Sequence, residues 1–257
     1  DFQDFNDLFK KINLKKTGVI VISKSGETNE TLVQFLIFLS KYKKIFNKNK
    51  IKKYFTVITR KGNSSLRNLA NDFLINIIDL DNDLSGRFSA FSPVGLLPAA
   101  ISGLNIKKIR DGALSLLYKS LKKQQKIASE GAALHFVAQN SKINISVLLT
   151  YTERLRNFGF WHEQLIAESL GKENMGFTPI HSMGATDQHS LLQLFLEGPK
   201  DKLITFITLK EQKDQIKINK DLISKVEKLS FLKKKSLNKL LDFEMQKVCQ
   251  LLKENKR

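Results

Sequence analysis

A chain of 257 residues with 42% hydrophobic and 9% aromatic content has enough apolar side chains for one large core or two medium ones. Its net charge of +18 is the strongest departure from an average globular composition. The lysines gather in 41–53, 119–126 and 210–239 among asparagine and isoleucine, with no basic stripe interleaved with aromatics. A solvated basic surface therefore accounts for them better than a nucleic-acid footprint, which stays as the rival reading motivated by charge alone. No apolar run approaches the ~20 residues of a membrane span, and no basic leader precedes the first apolar segment. The single Cys249 excludes an internal disulfide and fits a reducing cytoplasm. His135, His162, His181 and His189 show no metal-ligand spacing with it, so neither metal nor redox cofactor is expected.

In chain order, Val19-Ile20-Val21-Ile22 is a continuous β-branched run of the kind a buried parallel strand has. Ser23-Lys24-Ser25-Gly26-Glu27-Thr28-Asn29-Glu30-Thr31 follows, and then Leu32, Phe35, Leu36, Leu39 and Tyr42 recur at helical spacing. Strand, hydroxyl-rich loop and helix in that order can cradle a phosphate at a helix N-terminus. An ordinary helix capped by Thr28 or Ser25 fits the same residues. Strands are predicted at 54–59 and 75–78 with a helix at 64–71 between them, which indicates an α/β layer on a parallel sheet.

Residues 79–85 form an acidic turn leading to Gly86-Arg87. Ser92-Pro93 then reads as a cap followed by proline at the first helical position. Gly95 and Pro98 are poor helix formers and suggest a close backbone approach and a kink in a tightly packed helix. Arg87, placed ahead of that helix, makes an anion-facing corner. Residues 106–126 read as a helical connector, which puts the domain boundary near Gln124 and divides the chain into 1–123 and 124–257.

The second half begins with an apolar helix at 128–139, on which His135 reads as a packed core or edge histidine. A strand at 145–151 and a helix at 153–170 follow. On that helix Glu168 shares the face of Trp161 and Leu165 and lies in the last turn, where burial and the helix dipole both favour a protonated carboxyl. The plainer reading pairs an exposed Glu168 with Lys172. Residues 178–180 lead to a capped helix start with His189 in its first turn; on spacing alone this is a functional group or an exposed bystander. A strand at 202–207 and a helix at 223–247 complete the reading.

Three of these stretches, in this order, resemble the phosphoglucose isomerase family. Ser85 to Ala99, S-G-R-F-S-A-F-S-P-V-G-L-L-P-A, is similar to the family signature, with Ser85 where glycine is usual. S-K-S-G-E-T-N-E-T resembles the phosphate loop of sugar-isomerase (SIS) domains, and E-S-L-G-K at 168–172 resembles a block of the shorter bacterial members. The resemblance implies an α/β fold of two SIS-type, flavodoxin-like subdomains, each a doubly wound parallel sheet with helices on both faces. It further implies interconversion of glucose 6-phosphate and fructose 6-phosphate through an enediolate, in glycolysis and gluconeogenesis, without a cofactor.

By the same resemblance Ser23, Lys24, Ser25, Thr28, Thr31 and Gly86 hold the phosphosugar. Glu168 is the acid/base, His189 opens the ring, and Arg87 steadies the developing oxyanion. Longer members carry their glutamate nearer the position of Ser182. The resemblance also implies a homodimer with His189 reaching the neighbouring subunit's site. The family's glycine-serine loop would precede Asp1, and its lysine-bearing C-terminal block would follow Arg257, so an internal portion of the enzyme is expected. The alternative function is a non-catalytic SIS module that only binds phosphosugars.

Overall fold

The structure is a computed structural model that describes residues 2–122, 126–209, 219–232 and 237–257. The chain divides into two compact units, Asp1–Tyr118 and Lys119–Arg257; the expected boundary near Gln124 lies outside the described residues. In chain order the first unit contains α1 (Phe2–Lys11), β1 (Val19–Ile22), α2 (Asn29–Lys43), α3 (Lys48–Ile51), β2 (Phe55–Arg60), α4 (Ser65–Asp72), β3 (Asn76–Leu80) and α5 (Pro93–Ile101). Next comes α6 (Ile106–Leu121), whose last turn crosses the division. The second unit holds α7 (Ile127–Asn140), β4 (Ile145–Thr150), α8 (Arg156–Leu170), β5 (Thr178–Met183), α9 (Gly184–Glu197), β6 (Lys202–Ile207), α10 (Lys220–Ser224) and α11 (Leu237–Glu254).

Each unit is built on a three-stranded parallel sheet flanked by helices, ordered β1-β2-β3 in the first and β5-β4-β6 in the second. In the first sheet Val21 lies opposite Val57, and Val57 opposite Ile77, so one apolar layer runs across the strands. Packed with it, Phe35, Leu39 and Tyr42 of α2 and Leu66 and Ala70 of α4 are buried. Tyr42 is fully buried because its hydroxyl has a partner: it donates to the Thr17 carbonyl at 2.6 Å. The second core is smaller and joins Val147 of the central strand to Phe195 of α9 and Val248 and Leu252 of α11.

Four expectations are corrected. Residues 178–180, expected as a lead-in to a helix, belong to β5; Pro179 fits there because β5 is an edge strand, where a missing N–H is tolerated. The helix expected at 223–247 is broken into α10, a 3-10 turn at Glu227–Leu232 and α11. Ile223 and Leu232 are both buried, and nine residues of continuous α-helix would put them on opposite faces. The helix expected from residue 153 starts as a separate 3-10 turn, Glu153–Leu155, before α8 begins at Arg156. Finally, α5 is apolar throughout yet has no buried residue within the chain. The close approach expected at Gly95 is present, since a Cβ there would run into the Ala90 carbonyl. Among the described residues no helix is long and apolar enough to cross a membrane.

Candidate functional site

Parallel strands deliver their following loops to the same end of a sheet. In the first unit that end receives Ser23 after β1, Ser64 after β2 and Gly86-Arg87 after β3. Of the sequence-predicted residues, Ser23, Lys24, Ser25, Thr28 and Thr31 thus follow β1, and Gly86 and Arg87 follow β3. The loop after β1 is organised by its own hydroxyls. The Gly26 N–H donates to Ser23 Oγ at 3.1 Å and the Glu27 N–H to Ser25 Oγ at 3.1 Å. Ser23 Oγ lies 3.0 Å from Thr28 Oγ1 and 3.5 Å from Ser25 Oγ, and Ser23 is buried. Lys24 is half-buried, and its carbonyl accepts the Arg60 N–H at 3.2 Å, which ties the loop to the end of β2. Thr31 sits half-buried in the first turn of α2.

Gly26 has a φ of +71°, and a Cβ would strike the Ser64 side chain, so glycine is required both for conformation and for space. The neighbouring Glu27 was not singled out by the sequence. Its carboxylate accepts the Ser65 N–H at 2.6 Å and the Ser65 hydroxyl at 2.7 Å. Those two bonds, the backbone one foremost, hold its carboxyl below the usual carboxylate range. The available signal was an acid in the middle of a hydroxyl loop, with two adjacent serines after the next strand.

Arg87 departs from its expected place. Gly86–Phe91 is itself a 3-10 helix, in which Phe88 N–H donates to the Ser85 carbonyl at 3.1 Å and the Ser89 hydroxyl to the Gly86 carbonyl at 2.5 Å. Arg87 lies in the first turn of that helix rather than immediately before α5, and its guanidinium carbon is 4.9 Å from the Phe88 ring centre. The cap predicted for α5 is present: Ser92 Oγ accepts the Val94 N–H at 3.2 Å, with Pro93 at the first position.

In the second unit, Glu168 and His189 occupy consecutive helices around β5. Helix α8 runs back along β5, packing Gly159 on the His181 ring and accepting the His181 N–H on Glu163 Oε1 at 2.6 Å. Glu168, in the last turn, lies toward the amino end of the strand and is exposed, with Gln164 Nε2 donating to it at 3.2 Å. It does not share a buried apolar face with Trp161 and Leu165, because the closely packed part of α8 is the stretch nearer its start. His189 is exposed near the carboxyl end of β5. It falls in the second turn of α9, not the first, because the helix already begins at Gly184. That start is fixed by Asp187, whose carboxylate reaches back to the Met183 N–H at 2.6 Å, and by the Tyr151 ring against Gly184.

His135 is the half-buried edge histidine expected, with Nδ1 2.9 Å from the Gly131 carbonyl and its ring edge-on to Phe177. Among the described residues no set of three His, Cys, Asp or Glu is grouped to hold a metal ion.

The model of the phosphoglucose isomerase family matches residues 1–227. The chain is 39% identical over 222 residues to the probable glucose-6-phosphate isomerase of Methanococcus maripaludis, covering 85% of this chain and 49% of that one. It is 38% identical over 208 residues to the glucose-6-phosphate isomerase of Methanocaldococcus jannaschii, covering 79% and 50%. The chain therefore spans about half the length of the curated relatives it matches. The crystal structure of a hypothetical protein from Thermus thermophilus superposes with a TM-score of 0.90 at 29% identity, over 100% of this chain and 62% of that one. A glucose-6-phosphate isomerase from Chlamydia trachomatis shares the fold, with a TM-score of 0.70 at 22% identity, over 90% of this chain and 48% of that one.

Proposed function

Because the chain belongs to the phosphoglucose isomerase family, we propose that it supplies the phosphosugar-binding and proton-transfer groups of a glucose-6-phosphate isomerase. The observation that carries this reading is the hydroxyl loop Ser23–Thr31 knitted together between β1 and the amino end of α2, with Gly86 and Arg87 following β3 of the same sheet. Ser23, Lys24, Ser25, Thr28 and Thr31 take the phosphate, whose charge suits the amino end of α2. Gly86 leaves backbone room beside it. His189 moves the proton that opens the sugar ring. Glu168 then removes the C2 proton of the open-chain aldose, and the electron pair becomes the C1–C2 double bond of an enediolate as the former carbonyl oxygen on C1 takes the negative charge. The proton of the C2 hydroxyl passes to that oxygen, and the Glu168 proton returns at C1 as the C2–O bond becomes the ketose carbonyl. The reaction is redox-neutral and leaves no group unaccounted for. Arg87, with its planar guanidinium fork, faces the oxyanion of the enediolate.

Glu168 and His189 lie toward opposite ends of β5, which supports a homodimer in which one subunit's His189 completes its neighbour's site. In this reading the chain holds two SIS-type subdomains, 1–123 and 124–257. The lone Cys249 supports a cytoplasmic setting.

Thermal melting tests the binding half of this reading. Fructose 6-phosphate at about a hundred times its Kd should raise the melting temperature by roughly 5–10 °C, with no comparable shift from fructose or inorganic phosphate. Equal shifts with all three, or none, would sink it.

A further inference from the structure

Glu27 stands in the middle of a loop that has to attract an anion, where a free carboxylate would repel the ligand. The structure turns that charge elsewhere. Both carboxylate oxygens are engaged by Ser65, the first residue of α4, at 2.6 Å and 2.7 Å. The next amide of α4, Leu66 N–H, donates to the Gly26 carbonyl at 3.0 Å, and the third, Arg67 N–H, donates to Ser64 Oγ at 3.3 Å. All three leading amides of α4 are therefore occupied, two of them by the loop itself. Helix α2 is treated differently. Its cap residue Thr28 makes no side-chain cap, and the Thr28 hydroxyl faces Ser23 Oγ instead. Two helix N-termini thus flank the loop; the loop closes one and leaves the other for an anion.

We infer that Glu27 is a positioning residue of the phosphate site: its carboxylate latches the Ser23–Thr28 hydroxyls onto α4 and directs the incoming phosphate to α2. The inference rests on the phosphosugar reading of this loop. Glu27 acts through Ser65 and does not touch the substrate. The stabilising partner is a helix N-terminus, which favours a carboxylate and draws the negative charge away from the phosphate position.

The test is a calorimetric titration of the protein with fructose 6-phosphate and with fructose, for the unsubstituted protein, Glu27→Ala, Glu27→Gln and Ser65→Ala. The Ser65 amide resonance is followed as a ligand-free reporter of the latch. Glu27→Ala should shift that resonance and weaken fructose 6-phosphate about tenfold or more, as loss of a charge-assisted bond does. Glu27→Gln keeps a carbonyl acceptor for the Ser65 N–H and should recover affinity to within about threefold of the unsubstituted protein. Adding Ser65→Ala to Glu27→Ala should weaken binding no further, since both remove one interaction. A purely structural residue would lower melting temperature and affinity together without recovery by glutamine, and that result overturns the proposal. So does Glu27→Ala binding as tightly as the unsubstituted protein. If the unsubstituted protein fails to prefer fructose 6-phosphate to fructose, the phosphosugar reading and the role of Glu27 fall together, whatever the amide reports.

Discussion

At position 26 two separate constraints fall on one residue. The backbone is in the left-handed region at φ +71°, and the space where a Cβ would sit is filled by Ser64. Gly26→Ala therefore meets both a conformational penalty and an overlap, and should destabilise the protein by about 1–3 kcal/mol. Denaturant unfolding would measure the loss, and a stability within error of the unsubstituted protein would contradict the geometry. Because the Gly26 N–H and carbonyl bond Ser23 Oγ and the Leu66 amide, the substitution should also abolish melting shifts with fructose 6-phosphate. The residue types of this loop were legible in the sequence, since hydroxyls after a β-branched run mark a helix-terminus cradle. Glu27 was not: its partner Ser65 is 38 residues away, and only the parallel pairing of β1 with β2 brings the two loops together. Arg87 was legible as a charge following β3 but not as a member of a 3-10 turn, because serine hydroxyls bonding back to carbonyls three residues earlier compete with the loop expected there.

Elements whose sequence has a single period were easy to place. β1, β2 and β4 are short runs rich in β-branched and apolar residues, and α2 keeps a helical spacing through Phe35, Leu39 and Tyr42. β5 was hidden because its Pro179 is a strand breaker everywhere but at an edge, and its alternation is interrupted by His181. That histidine is held by packing rather than by pattern: its Nε2 is 2.9 Å from Thr150 Oγ1 and its ring lies over Gly159 and edge-on to Phe160. The layer between β5 and α8 also contains His162, whose Nδ1 is buried without a hydrogen-bond partner among the described residues. Burial pushes His162 below its ordinary value of 6.5. The nearby His135 of α7 pushes the same way, Glu163 on its own helix pulls upward, and His181 of β5 adds a smaller downward push. The sign follows directly. The unfolded chain takes up the proton first on acidification, so the stability contributed by neutral His162 is complete above pH 6.5 and is lost as the pH falls from there toward the folded-state value. Melting temperatures measured from pH 8 to pH 5 should fall through this window. His162→Phe keeps a ring against Phe158 and should make the fall shallower; parallel curves for the two proteins would assign the acid sensitivity to other groups.

Across the whole molecule, the alternation of strands and helices made two α/β units legible, whereas residue spacing alone did not show how the proposed proton-transfer groups, Glu168 and His189, are placed along β5. Glu168 and His189 are 21 positions apart in sequence, and the return path of α8 and the forward path of β5 separate them along the strand. Apolar side chains are left open on the first unit, among them Phe91 at 51% and Ile101 at 68% exposure. If each site takes Glu168 from one subunit and His189 from the other, Glu168→Gln and His189→Ala proteins are each inactive as homodimers. A mixed dimer then has one site with both lesions and one site with neither. Unfolding the two variants together and refolding them at equal concentration should place half the chains in mixed dimers, and recover about a quarter of the unsubstituted isomerase activity. Pairing of Glu168 with His189 inside a single subunit predicts no recovery at all, because every subunit then carries one lesion in its own site. Sedimentation of the mixture alongside the assay separates this from a failure to associate: a dimer without recovered activity refutes the shared site, and a monomer with full activity in the unsubstituted protein refutes the dimer.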